Sequence, residues 1–132
     1  DPIDCPHPYT FPLDAKMTNC IVTGSDEDEL SLKPVTDPTV RFNLLFDHCL
    51  LKIRKLTDQN QFPKFIQDYT QNCIISASLD PLFIDISKDN YRLDTLSIAD
   101  GKGIPINNIF NDLENVLRDP VKPDLGCYER LK

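Results

Sequence analysis

Three short segments of the chain repeat one another. Met17-Thr18-Asn19-Cys20-Ile21-Val22, Phe46-Asp47-His48-Cys49-Leu50-Leu51 and Thr70-Gln71-Asn72-Cys73-Ile74-Ile75 each set a polar residue before a cysteine and two aliphatic residues after it. The steps are 29 residues from Cys20 to Cys49 and 24 from Cys49 to Cys73. Periods of this length belong to stacked chain passes, in which no single pass can bury its own apolar face. Stacking puts equivalent side chains above one another at strand spacing. Side chains alternate along a strand, so Cys20 and Val22 are expected on one inward face, with Cys49, Leu51, Cys73 and Ile75 above them. Ile21, Leu50 and Ile74 fall on the other face and are apolar too. That face should therefore be covered, with the inserts between passes as the candidate cover. Asn19, His48 and Asn72 sit where a stacked turn calls for a left-handed backbone, which Asn tolerates.

The expected fold is accordingly mainly β, a right-handed parallel β-helix of about three coils with a closing segment. Residues 1–16 read as an irregular start or the remnant of a preceding coil. Residues 17–79 carry the coils, with loop inserts at 24–39 and 54–70, and residues 80–132 form C-terminal strands and a cap over the last coil. Phe62, Phe65 and Ile66 can tuck back onto the stack, and Pro63 can open a short helical turn. The spacing of Ile109, Phe110, Leu113, Val116 and Leu117 also suits a short amphipathic helix. Eleven prolines against four glycines point to rigid, irregular connections. Asp1 reads as following a cleavage or as lying inside a longer chain, with more coils ahead of it or a second chain covering the open end.

The order of motifs in the closing segment is distinctive. Asp80-Pro81-Leu82-Phe83 is followed by Asn90-Tyr91-Arg92-Leu93, then Ser97-Ile98-Ala99, then Asp112 with Asn115 and Arg118, and finally Pro123-Asp124-Leu125-Gly126-Cys127-Tyr128-Glu129. Over residues 70–132 this resembles the C-terminal part of the right-handed β-helix repeat proteins of the pectate-lyase-like superfamily from Gram-negative envelopes. Ile98, Asn115 and Cys127 stand where that pattern has proline, glycine and alanine. The resemblance implies a secreted or cell-envelope protein, periplasmic or anchored to the outer membrane as a lipoprotein. It further implies a non-catalytic, carbohydrate-associated or scaffolding role with polysaccharide as partner. Two alternatives stand beside it. One is part of a polysaccharide lyase or glycoside hydrolase whose active site lies outside this chain; the other is a protein-interaction or assembly module.

The residues supply no catalytic, cofactor-binding or metal site. No G-x-S-x-G elbow occurs, and His48 and Cys49, adjacent on a strand, face opposite sides. His7 lies between prolines without a partner. Five cysteines, no C-x-x-C pair and two histidines do not compose a structural zinc site. The three repeat cysteines read as buried thiols, while pairing of Cys5 with Cys127 stays open. Asp85-Ile86-Ser87-Lys88-Asp89-Asn90 has alternating oxygen donors but lacks the glycine and closing glutamate of a calcium loop, and reads as a polar turn. Gly101-Lys102-Gly103 lacks the spacing of a phosphate loop. A net charge of −7 with Lys52-Ile53-Arg54-Lys55 as the densest basic run argues against nucleic acid as a partner. Asp26-Glu27-Asp28-Glu29 reads as a solvated acidic loop. No apolar run is long enough for a membrane span.

Overall fold

Asn19 (φ 56°), His48 (φ 50°) and Asn72 (φ 51°) break each of three chain passes into two short strands at a left-handed residue. The computed structural model describes residues 10–32, 37–58, 62–76 and 81–131. The passes are β1 (Leu13–Thr18) with β2 (Ile21–Val22), β3 (Phe42–Asp47) with β4 (Leu50–Leu51), and β5 (Thr70–Gln71) with β6 (Ile74–Ile75). They pair in parallel into two sheets, ordered β1-β3-β5 and β2-β4-β6. Ile21, Leu50 and Ile74 share one register, and Val22, Leu51 and Ile75 the next. β1 begins at Leu13, inside the stretch read as irregular.

The expected parallel β-helix is not formed. Among the described residues the parallel pairing stops at two sheets of three strands, and the third pass adds only two residues to each. The other sheet, β7 (Phe83–Asp85) with β8 (Asn90–Leu93), is antiparallel. Among the described residues no further wall of strands closes a coil. The two short helices α1 (Lys55–Asp58) and α2 (Phe65–Tyr69) stand on that side instead. The physical reason lies in the inserts: their aromatic and aliphatic side chains fill the space a third strand would occupy. Leu56 and Phe65 are buried with Phe46, Cys49, Leu51 and Ile53, and Leu30, Leu32 and Phe62 pack against them.

The inserts are tied down by charge. Asp28 accepts the backbone N–H groups of Arg54, Lys55 and Leu56, capping α1 from another loop. Glu27 pairs with Lys55 at 2.6 Å, and Lys52 donates to the Gly24 carbonyl. The acidic run is therefore a docking loop for the basic one, not a free solvated face.

β4 is covered on both sides. Leu51 enters the first cluster, while Leu50 joins Leu93, Ala99 and Leu125, with Ile21, Ile74 and Phe83 around them. The cover over Ile21, Leu50 and Ile74 is the closing segment, not the inserts. Among the described residues it packs along Ile21, Leu50 and Ile74 of the three passes. Its backbone reaches the first pass, where Gly126 N–H donates to the Asn19 carbonyl at 2.8 Å. Each fully buried leucine here contributes roughly 1.5–3 kcal/mol relative to exposure. No helix forms at 109–117; the bridges Ile106↔Ile109 and Asn111↔Leu117 give an irregular ribbon instead. Asp112 Oδ1 accepts from Glu114 and Val116, and Asn115 takes a left-handed φ of 64°. Asp85 caps a 3-10 turn, Ile86–Lys88, between β7 and β8. No described helix is long and apolar enough to cross a membrane.

Candidate functional site

The repeat places its polar and thiol side chains in different environments. His48 Nδ1 lies 2.7 Å from Asp47 Oδ1, and Lys16 pairs with the other carboxylate oxygen at 2.8 Å. The Lys16 ammonium, against the opposing effect of burial, holds Asp47 below its ordinary carboxylate range, with His48 adding to it. The Cys49 thiol instead faces the Met17 and Asp47 carbonyls. Ring and thiol thus have separate partners and compose no dyad. Cys49 is fully buried, and desolvation pushes its thiol up to about 11. Cys73 Sγ lies 3.4 Å from the Cys49 N–H, continuing the column. Cys20, Cys49, Cys73 and Cys127 are free thiols. Cys5 and His7 lie outside the described residues. No group of three or more His, Cys, Asp or Glu among the described residues is placed to hold a metal ion. In the segment 85–90, the Asp85 carboxylate is taken by Ser87 and Lys88.

A groove of about 710 Å³ lies between the first pass, the β7–β8 hairpin and the closing segment. Thr18 to Ile21 form one side, Phe83, Tyr91 and Leu93 another, and Ile106, Ile109, Phe110 and Leu117 the rim. Phe110 is 67% exposed and Leu117 71%. Phe83 and Tyr91 meet edge to face at 5.5 Å, which fixes the ring orientations.

The polar side chains that line this groove are mostly committed within the chain. Asn19 pairs through both ends of its amide with the Ile104 backbone. Arg118 donates to the carbonyls of Asp124 and Gly126 and faces Glu129. Asp119 accepts from the Val121 and Lys122 N–H groups. The groove therefore offers apolar surface and little free hydrogen-bonding capacity.

Behind the groove lies a network of charged groups. Asp112 Oδ2 accepts from Glu129 N–H, and Glu129 accepts from Asp119 and Asp124 N–H. Asp124 is fully buried and accepts from Gly101 and Arg130 N–H. Three backbone donors on Asp112 outweigh its burial, and with Arg118 nearby they hold its carboxyl below the ordinary range. Burial, reinforced by Asp100 and Glu129, pushes Asp124 above it.

Sequence reasoning did not find the groove. The signal for it is the run Ile109, Phe110 and Leu117, too apolar for an exposed loop, but the same spacing also suits a helix face. The chain matches no protein-family model, and no curated protein and no solved structure gives a significant match.

Proposed function

We propose that this chain is a non-catalytic interaction module that grips apolar side chains of a partner polypeptide in the groove beside the closing segment. The observation that carries the reading is an exposed apolar rim beside polar lining side chains, Asn19 and Arg118, whose hydrogen-bonding atoms are mostly engaged inside the chain. A sugar brings hydroxyls that lose water on entry and need new partners, and burying them unpaired costs free energy. Aliphatic and aromatic side chains need none and bind by burial in such a setting. Thr18 to Ile21, the first wall, belong to β1 and β2 and their turn, and both are edge strands of their sheets among the described residues. An edge strand favours an extended polypeptide as the neighbour. A setting in the cell envelope rests on the resemblance alone.

One observation favours the carbohydrate reading: Tyr91 is exposed at the groove, as a ring that stacks on a sugar would be. The test sets the two against each other. The immobilised chain is offered a random peptide display library and a panel of neutral and acidic polysaccharides, alongside Phe110→Asp. The expected result is enrichment of peptides with spaced apolar anchors, bound about tenfold or more weakly by the variant. Retention of polysaccharide with no peptide enrichment overturns the proposal.

A further inference from the structure

We propose that copies of this chain associate head to tail, the third pass of one lying against the first pass of the next, so that both parallel sheets run on from copy to copy. The proposal goes beyond the groove's occupant and uses the two ends of the stack, not the apolar rim.

Burial along the stack is the first observation. In the middle pass Phe46, Cys49, Leu50 and Leu51 are fully buried. Their counterparts in the end passes are not. Met17, in register with Phe46, is 40% exposed, and Ile75, in register with Leu51, is 42% exposed. Among the described residues β1 and β2 end the two sheets on one side, and β5 and β6 end them on the other. The middle pass thus shows what a neighbour on each side does for these positions.

The second observation is that the two ends match in pattern and direction. Asn19 and Asn72 both hold the left-handed turn, followed by Cys20-Ile21-Val22 in one pass and Cys73-Ile74-Ile75 in the other. The bonding rule from pass to pass is constant. The residue after each cysteine donates to the cysteine carbonyl of the preceding pass, Leu50 to Cys20 at 2.9 Å and Ile74 to Cys49 at 2.8 Å. Two positions on, Lys52 donates to Val22 and Ser76 to Leu51. The residue before each cysteine donates forward, Asn19 to Asp47 and His48 to Gln71. Since Ile74 and Ser76 face the middle pass, strand alternation turns the backbone groups of Cys73 and Ile75 to the far side.

The same rule, carried from the third pass of one copy to the first pass of the next, joins Ile21 N–H to the Cys73 carbonyl and Thr23 N–H to the Ile75 carbonyl. It also joins Asn72 N–H to the Thr18 carbonyl. The side-chain columns then continue: Ile21 falls on Ile74, Val22 on Ile75, and neutral Thr18 on neutral Gln71, so no like charges are opposed. A plain edge strand pairs with any extended chain. A left-handed residue between two short strands is matched by a partner with the same break, and this chain carries that break at both ends. The two ends are different surfaces, so the contact is heterologous and can repeat. The third pass offers strands of only two residues each, which makes the contact small and exchanging.

The test is sedimentation of the intact chain from about 1 μM to about 1 mM, the range in which weak contacts form. Reducing buffer keeps the exposed Cys127 from cross-linking. The average mass is expected to rise with concentration past that of two chains. Ile75→Pro blocks one end and Thr23→Pro the other, both at exposed edge positions where proline is tolerated. Each variant alone is expected to stay monomeric. Their equimolar mixture is expected to form a dimer and nothing larger, because each keeps the end that the other has lost. Where a proline variant does not fold, Ile75→Lys and Thr23→Lys make the same pair. A wild-type chain that stays monomeric throughout, a blocked variant that associates by itself, or a mixture that stays monomeric overturns the proposal. Phe110→Asp, which tests the groove, is expected to associate as the wild type does; loss of association there would assign the contact to the groove and overturn the proposal as well.

Discussion

The carboxamide of Asn19 pairs with both backbone groups of Ile104, donating from Nδ2 to the carbonyl at 2.6 Å and accepting the N–H on Oδ1 at 2.9 Å. One side chain thus fastens the closing segment to the first turn of the stack, 85 residues away in sequence. The same residue holds a φ of 56°, which Asn adopts at less cost than most side chains. Asn19→Ala loses two hydrogen bonds of about 1 kcal/mol each and adds left-handed strain. We expect a loss of about 2–4 kcal/mol in urea unfolding. Asn19→Asp keeps the acceptor and the turn but loses the donor, and should cost about 1 kcal/mol.

Gly126 lies where a side chain has no room. A Cβ there would come 2.9 Å from Ile21 Cδ1, and φ is +86°. Gly126→Ala is expected to destabilise by about 1–3 kcal/mol through overpacking, with backbone strain added. Ile21→Val removes the atom that is struck. The double variant should therefore lose less than the sum of the two single changes, a coupling that thermal or urea unfolding of all four proteins measures. Strict additivity would mean that the strain is in the backbone alone.

Thiol labelling should follow burial along the chain. Desolvation sets the Cys49 thiol at about 11, so at pH 8 roughly one molecule in a thousand carries the reactive thiolate. Cys127 is exposed. With an aromatic disulfide reagent and peptide mass mapping, Cys127 should label promptly and Cys49 only on unfolding. Prompt labelling of Cys49 in the native protein would show that the interior of the stack opens readily.

The repeat was legible because it is local. Each polar-Cys-aliphatic-aliphatic run encodes a left-handed turn and a strand, and the structure places Ile21, Leu50 and Ile74 in one register. The need for cover on that face was legible for the same reason. What covers it was not, because the choice between the inserts and residues 97–126 rests on long-range contacts such as Asn19 with Ile104. The continuous β-helix failed on the inserts. Leu30, Leu56 and Phe65 are spaced irregularly, and only packing reveals that they fill the interior in place of further strands. The groove was hidden by a period that fits a helix. Asn115 in a left-handed turn, with Asp112 bonded across it, ends that period as a ribbon.

Asp112 gives the chain an acid-sensitive joint whose sign is opposite to that of Asp124. Its burial would raise its carboxyl, but N–H groups from Glu129, Val116 and Glu114, with Arg118 nearby, hold it below the ordinary carboxylate value. A carboxyl that ionises more easily in the folded chain than in the unfolded one stabilises the fold above the unfolded value. That contribution is lost as pH falls through the folded value. Asp124 acts the other way: its contribution is present in acid and is lost as pH rises above 3.8 through its raised folded value. Asp112→Asn keeps the shape but turns an amide donor toward backbone donors that need an acceptor. We expect it to lower the melting temperature at pH 7, with the gap to wild type narrowing as pH falls below about 4. Melting curves of both proteins from neutral to acid pH check this. A gap that stays constant to the lowest pH would assign the loss at Asp112 to packing, not to its charge.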